Sequence, residues 1–416
     1  MKKKFLTMDD IDFKNKTVIT RIDINSPYNE KTGKISDNER IKEHAKTIEE
    51  LSDKGAKVII LAHQGRKGDE DFISLQQHSK LLTKHIKKKV KFVDDIIGKK
   101  AKEKIKLLRP RDIILLENVR FLEEETNELK PEDHSKSKLI KTLSSLANVF
   151  VNDAFSCSHR NHASVVGFAE VLPSVAGRVM EREIKSVESA LNPKQMNIFV
   201  LGGAKPDDCL KVIEHIFKNK PESLKMVLTC GVLGELFLVA KGYNLGSKMN
   251  FLKDKGFTGL TPKTKILLKN YNKKIKTPID VAVLDNKKRR EISVEQLPTD
   301  LEIIDIGTKT AKNYVKIIKK ADSVFMKGPC GIYEKKTGEI STKLILNAIA
   351  KSNASSFLGG GDTSVAIKKL KINKNRFSYI SSGGGALIAF LSGEEMPGIE
   401  ALKKSYQIFK HSFRCF

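Results

Sequence analysis

Short runs of apolar, mostly β-branched residues recur along the chain: Thr17 to Ile24, Val58 to Ala62, Ile113 to Leu116, Val149 to Val151, Ile198 to Leu201, Met226 to Thr229, Val281 to Leu284, Ile303 to Ile306, Val324 to Met326 and Phe377 to Ile380. Between most of them the apolar positions change to helical spacing, as over Asn38 to Lys54, Leu75 to Lys88 and Thr310 to Lys320. Alternating strands and amphipathic helices predict an α/β architecture of parallel sheets covered on both faces. Asp37 or Asn38 is placed to cap the first of these helices, and Thr308 or Lys309 to open another near Thr310.

A chain of 416 residues exceeds what one core usually supports, so two domains are expected. The boundary falls in Pro173 to Leu191, whose VMEREIKSVESAL segment reads as one amphipathic helix. The expected organisation is two doubly wound, mostly parallel-sheet domains, residues 1–173 and 192–392, joined by a helical hinge over 174–191. Gly393, Pro397 and Gly398 break the pattern before a last helix, 399–416, expected to return to the first domain. No solenoid-length repeat or low-complexity linker interrupts this order.

What stands at the strand ends differs between the halves. Arg21, Arg66, Arg120 and Arg160 lie at or just beyond apolar runs in the first half. The second half carries Gly202-Gly203-Ala204-Lys205, Gly328-Pro329, Gly359-Gly360-Gly361-Asp362 and Gly383-Gly384-Gly385. Ligands of open parallel sheets sit outside the carboxyl ends of the strands, so the two halves are expected to hold two different anionic ligands.

The formal net charge of +26 invites a nucleic-acid reading. The lysines, however, are spread over helical segments such as Lys84 to Lys91, and no recognised nucleic-acid module accompanies them. Most of the charge therefore reads as solvated surface, with no specific nucleic-acid partner expected. The five cysteines, Cys157, Cys209, Cys230, Cys330 and Cys415, show no metal or redox spacing, which fits a reducing cytoplasm. No segment is apolar enough for a secretory signal or a membrane span.

Glycines between a strand and a helix let backbone N–H groups approach phosphate, and MNIFVLGGAKPDD fits that use with Lys205 as a nearby cation. It lacks the Walker spacing. Asp362, at a helix start, reads either as an N-cap carboxylate or as a ligand for nucleotide-bound magnesium. In the first half, strand periodicity puts Arg21, Asp23 and Asn25 on one side, where a buried Arg21–Asp23 pair is the structural alternative to a binding role. Arg40, His63, Arg66, Arg120, Arg160 and His162 extend the set into a basic pocket for a small polyanion. His44, His78, His85 and His134 sit on lysine-rich segments and are expected at the surface.

These segments taken in order, RIDINSP, NERI, LAHQGR, LLENVRF, NDAFSCSHRNHAS, VLGGAKPDD, TPID, DIGTKT, KGPCGIYE, LGGGDTS and SSGGGALIAFLSGEEMPGIEAL, give the chain a resemblance to the phosphoglycerate kinase family, closest to its archaeal branch. The resemblance implies reversible phosphoryl transfer between 1,3-bisphosphoglycerate and ADP, giving 3-phosphoglycerate and ATP, with Mg2+ accompanying the nucleotide. It implies a phosphoglycerate site of Arg21, Asp23, Asn25, Arg40, His63, Arg66, Arg120 and Arg160, in which Arg40 bridges toward the transferred group. It implies nucleotide contacts from Gly202, Gly203, Lys205, Glu334, Gly359, Gly360, Gly361, Asp362 and Thr363, with Glu334 at the ribose and Asp362 on the metal. Gly383 and Gly384 are then the turn that steadies the moving phosphoryl, beside Arg40 and Lys205 as catalytic groups. Closure about the hinge, without a covalent intermediate, is the implied mechanism, and a monomer or homodimer the implied assembly.

Two positions depart from the family pattern. Cys209 stands where a second lysine usually follows the first by four residues, and Lys327 replaces the usual asparagine before Gly328-Pro329. Two alternatives to the family activity are a kinase of another small carboxylic acid and a basic nucleic-acid-binding protein.

Overall fold

The structure, a computed structural model, describes residues 4–410. It contains two compact units, Met1–Ile184 with Glu394–Phe416, and Lys185–Gly393. The first is built on a wholly parallel sheet of β1 (Leu6–Thr7), β2 (Thr17–Arg21), β3 (Lys57–Leu61), β4 (Val90–Val93), β5 (Ile113–Leu116), β6 (Val149–Asn152) and β7 (Ser174–Ala176), in the spatial order β1-β7-β6-β2-β3-β5-β4. Side chains alternate between two cores, Val18, Val58 and Ile60 on one face and Ile19, Ile59 and Leu61 on the other, as a sheet covered on both sides requires. The chain runs outward from β2 in one direction and returns to its other side with β6, so the topological switch lies between the carboxyl ends of β2 and β6.

The second unit has its own parallel sheet, from β8 (Asn197–Leu201), β9 (Met226–Thr229), β10 (Ile275–Lys276), β14 (Ser323–Lys327), β15 (Ser355–Gly359) and β16 (Tyr379–Ile380), in the order β10-β9-β8-β14-β15-β16. Its switch lies between β8 and β14. The runs around Val281 and Ile303, expected within the parallel alternation, instead form a separate antiparallel sheet of β11 (Asp280–Asp285), β12 (Lys288–Ser293) and β13 (Glu302–Ile306). The reversal is local. Asn286 and Lys287 both have positive φ, 47° and 64°, as a two-residue hairpin turn demands. The strand that follows, KRREIS, is too charged to announce itself.

The principal helices are α1 (Glu39–Asp53), α2 (Gln76–Ile86), α3 (Arg178–Ala190), α4 (Pro206–Asn219), α5 (Gly231–Ala240), α6 (Thr308–Ile318), α7 (Gly361–Lys369), α8 (Gly384–Leu391) and α9 (Pro397–Phe409). Asn38 caps α1, accepting the N–H groups of Arg40 and Ile41 at 2.9 and 3.3 Å. For α6 the capping oxygens come from outside: the Asp280 carboxylate accepts the N–H groups of Lys309 and Thr310.

The helix expected over 174–191 starts only at Arg178, because Ser174–Ala176 pair with β6 and β1 as β7. The unit boundary falls inside α3, between Ile184 and Lys185. Along α9, Ser405 accepts the Ser174 N–H at 2.9 Å, and Lys404 pairs with Glu170 at 2.9 Å, so this helix packs on the first unit. Residues 411–416 of the expected last helix lie outside the described residues. Among the described residues no helix is long and apolar enough to cross a membrane.

Candidate active site

β2 ends at Arg21, short of the expected Ile24, and the next three residues leave the ladder at the switch point. Arg21 has no exposed surface. Its Nε donates to Ser164 Oγ at 2.7 Å and its Nη2 lies 3.0 Å from His63 Nδ1, with Glu125 Oε1 at 3.9 Å. A guanidinium only donates, so His63 Nδ1 accepts and the neutral ring carries its proton on Nε2. Burial first, and then Arg21, pushes His63 well below its usual pKa. Burial raises that of Glu125, against the pull of Arg21.

The ion-pair partner of buried Asp23 is Arg40 rather than Arg21. Arg40 Nη1 donates to Asp23 Oδ2 at 2.9 Å from the capped first turn of α1, and Ser156 Oγ donates to the same oxygen. Burial alone would raise the Asp23 carboxyl, but Arg40, followed by His63 and Ser156, holds it well below the carboxylate range. Asn25 is turned toward the next loop, its Oδ1 accepting the Gly65 N–H at 2.9 Å.

Arg66, Arg120, Arg160 and His162 meet at a cavity of about 940 Å³ beside the sheet edge. Arg120 Nη1 donates to Gly65 O, but Arg120 Nε and His162 Nδ1 are buried with no hydrogen-bond partner, Glu125 Oε1 lying 3.9 Å from the latter. His162 is driven down to about 3, by burial first and then by Arg120 and Arg21, and the same burial and Arg21 work against the charge of Arg120 itself. Arg66, Lys67, Arg120 and Arg160 outweigh Glu123 and Glu128 around this cavity, a cationic excess that suits an anion.

Three histidines expected at the surface are buried: His44 (2% exposed), His78 and His134 (both 0%). The lysines of α1 and α2 cover one face of each helix, while His44 and His78 occupy the other. His85 is mostly covered too, with Nε2 2.8 Å from Asp37 Oδ1. His44 Nδ1 lies 2.8 Å from Asp153 Oδ2, and its Nε2 accepts the Asp23 N–H at 3.3 Å. Asp153 Oδ1 in turn accepts the N–H groups of Val179 and Met180 in the first turn of α3.

His78 supplies a pH signature. Burial lowers it from 6.5 to about 4, so between these values the unfolded chain binds the proton first; the stability is complete above pH 6.5 and is lost as pH falls toward 4. The wild-type loss between pH 7.5 and 4.5, read by urea unfolding, should exceed that of His78→Gln by about 2 kcal/mol. Equal losses in the two proteins would refute it.

In the second unit the turns after β8, β14, β15 and β16 lie side by side along one sheet edge. Gly202 leaves no room for a side chain, since a Cβ there would meet Pro329 O at 2.5 Å. Gly203 and Gly328 have φ of 80° and 78°. The N-terminus of α4 follows the first turn, with exposed Lys205 as its cap residue. α7 and α8 start from Gly360 and Gly383, and a Cβ on Gly384 would lie 3.6 Å from Gly360 Cα, so their two turns adjoin. A cavity of about 620 Å³ beside this edge is lined by Gly203, Ala204, Gly231, Pro329, Glu334 and Asp362, among others.

Asp362 is exposed in the first turn of α7 and does not cap it; the cap position is Gly360, and no side chain serves there. The N-cap reading therefore falls. Thr363 is buried, its Oγ1 donating to Gly359 O at 2.8 Å and accepting the Gly328 N–H at 2.9 Å, so it ties two turns together. Gly359 is a packing glycine against Leu387, and the Gly383 N–H is committed to Ser381 Oγ at 3.1 Å. Gly361 and Glu334 remain open to solvent.

Two parallel sheets, one edged with guanidinium groups and the other with glycine turns and helix N-termini, match a known family in sequence as well as in plan. The sequence profile described as phosphoglycerate kinase matches residues 8–394. The chain belongs to the phosphoglycerate kinase family. It is 43% identical over 400 residues to the phosphoglycerate kinase of Methanobacterium bryantii, covering 96% of this chain and 97% of the relative. To that of Sulfurisphaera tokodaii it is 44% identical over 404 residues, 96% of each. The crystal structure of phosphoglycerate kinase from Pyrococcus horikoshii OT3 superposes with a TM-score of 0.87 at 38% identity, over 97% of this chain and 99% of that one. For the Coxiella burnetii phosphoglycerate kinase the values are 0.81, 30%, 96% and 98%. The chain is thus an archaeal-type phosphoglycerate kinase by family, and an ATP-dependent kinase by activity.

Several residues that shape this candidate site were not singled out from sequence. Ser156, Asp153 and Ser164 lie inside the NDAFSCSHRNHAS segment, which marked the region without separating hydrogen-bond partners from ligand contacts. Asn118 lies in the same way inside LLENVRF, whereas Glu125 carried no signal: its partner, Ser164, is 39 residues away.

Proposed function

We propose that the first unit binds the phosphoglycerate and the second the nucleotide, and that the enzyme moves a phosphoryl group directly between the C1 carboxylate oxygen of 3-phosphoglycerate and the terminal oxygen of ADP. The observation that carries the residue assignment is the cationic pocket beside the first sheet, matched by the glycine turns along the second.

Arg66, Arg120, Arg160 and His162 surround the cavity and supply donors for the distant phosphate. Arg21, having no exposed surface, acts behind them by fixing the His63 tautomer, so that Nε2–H is offered as a donor. Asp23 and Asn25 orient the hydroxyl end, and Asp23 holds Arg40 in place. Arg40, one-third exposed, is the cation left to reach the transferring group.

On the nucleotide side, Gly202, Gly203 and Lys205 offer backbone and ammonium donors at the N-terminus of α4, and Glu334 faces the ribose. Gly360 and Gly361 keep the approach open, while Thr363 and Gly359 hold its shape. The Gly383-Gly384 turn brings the positive end of α8 toward the phosphoryl. Asp362, exposed and uncommitted as a cap, fits the single protein carboxylate that a nucleotide-bound Mg2+ takes beside phosphate oxygens and water. When bound, the metal neutralises phosphate charge.

In-line displacement needs attacking and leaving oxygens on one phosphorus, so the cycle includes closure about the helical hinge with exclusion of water. No side-chain nucleophile is required. The free, buried thiols of Cys157, Cys209, Cys230 and Cys330 suit a cytoplasmic enzyme. A coupled assay of ATP consumption with Mg2+ and 3-phosphoglycerate, acetate or carbamate tests the assignment. Turnover confined to 3-phosphoglycerate is expected; preference for acetate or carbamate would assign the pocket to another acid.

A further inference from the structure

β14 ends on Lys327 at the switch point of the second unit, and the residue is only 9% exposed. Its carbonyl accepts the Gly202 N–H at 2.8 Å, and its Cγ lies 4.0 Å from where a Cβ on Gly360 would be, so the stem passes between two of the glycine turns. The ammonium emerges at the first turn of α4, 3.1 Å from Asp208 Oδ2 and 3.8 Å from Cys209 Sγ. Cys209 is itself buried and, pushed up to about 11 mainly by burial, stays a neutral thiol.

This is an unfavourable place for an ammonium. Burial costs it hydration, and the N-terminus of α4 brings positive partial charge and Lys205, set against the carboxylates of Asp207 and Asp208 in its first turn. The partner, Asp208, is 37% exposed, and so shared with water. A cation held at the positive end of a helix, against the glycine turns and beside a partly exposed carboxylate, is placed to take an incoming anion.

We propose that Lys327 is a catalytic phosphate-binding residue: its ammonium contacts the terminal phosphoryl of the nucleotide, supplying from a strand the charge that Cys209 does not supply from α4. The proposal rests on the nucleotide reading of the second unit. Asp208 is then the resting partner that the ammonium leaves, wholly or partly, for the phosphate.

Lys327→Met keeps the length of the stem and removes the charge. Turnover with MgATP and 3-phosphoglycerate should fall by about 100-fold or more, the scale of losing one electrostatic donor. ATP affinity should weaken while adenosine affinity, measured by calorimetry, stays the same. Adding Cys209→Lys to Lys327→Met should recover at least about tenfold of the lost turnover, because the cation returns to the same spot from the helix. Turnover within about threefold of wild type overturns the assignment, as does an equal loss of ATP and adenosine affinity, which marks a purely structural lysine. If Lys327→Met does not fold, Asp208→Asn decides: releasing the ammonium from its partner should tighten ADP, and unchanged or weaker ADP binding overturns the proposal. Wild-type inactivity toward 3-phosphoglycerate would count against the family reading alone, leaving the ATP and adenosine contrast to judge Lys327.

Discussion

Arg40→Ala is expected to lower kcat by about two to five powers of ten, the range found when a cation serving mainly the transition state is removed. The size follows from its setting. The side chain is held by the capped first turn of α1 and by Asp23 at 2.9 Å, so little reorganisation is needed when charge develops on the phosphoryl. The same substitution leaves the Asp23 carboxylate, 2% exposed, without its main counter-charge, and some loss of stability accompanies it. Arg40→Lys separates the two effects, since an ammonium restores charge without the planar fork. Stopped-flow turnover at saturating substrate, together with thermal unfolding of each variant, gives the test. A change confined to KM would reduce Arg40 to ground-state binding.

Asp362→Ala is the second large effect. Because Asp362 makes no cap bond, its removal should leave α7 and the fold intact while raising the KM for MgATP by roughly 10- to 100-fold, as for a residue orienting a metal-bound ligand. Affinity for 3-phosphoglycerate should not change. Nucleotide binding to the wild type that is indifferent to magnesium would remove the metal role, and an unfolded variant would restore the cap reading.

The alternation of apolar runs made both parallel sheets legible, because strands buried on both faces are continuously hydrophobic. What escaped was local chemistry that runs against that rule. KRREIS forms a strand on the edge of a small sheet, where charge is tolerated; the Asn286-Lys287 turn that creates it carries no glycine. β4, VKFV, lies at a sheet edge, and β7 is only three residues long, and its loss to the helix moved the hinge start from 174 to 178. Within the site, cation and glycine positions were readable because each residue type has one dominant use at a strand end. Pairings were not: Asp23 chose Arg40, across 17 residues, over Arg21, and the histidines of α1 and α2 turned inward beneath lysines that labelled the segments as surface.

One of those inward histidines gives the phosphoglycerate pocket a reach beyond its own walls. The Asp23 N–H rests on His44, His44 on Asp153, and Asp153 on the N–H groups of Val179 and Met180 in the first turn of α3. Three hydrogen-bonded steps, all in the dry interior, thus lead from Asp23 to the start of the helix whose last residues belong to the other unit. The proposed acid site is thereby tied, through buried side chains alone, to the head of the helix that spans the unit boundary.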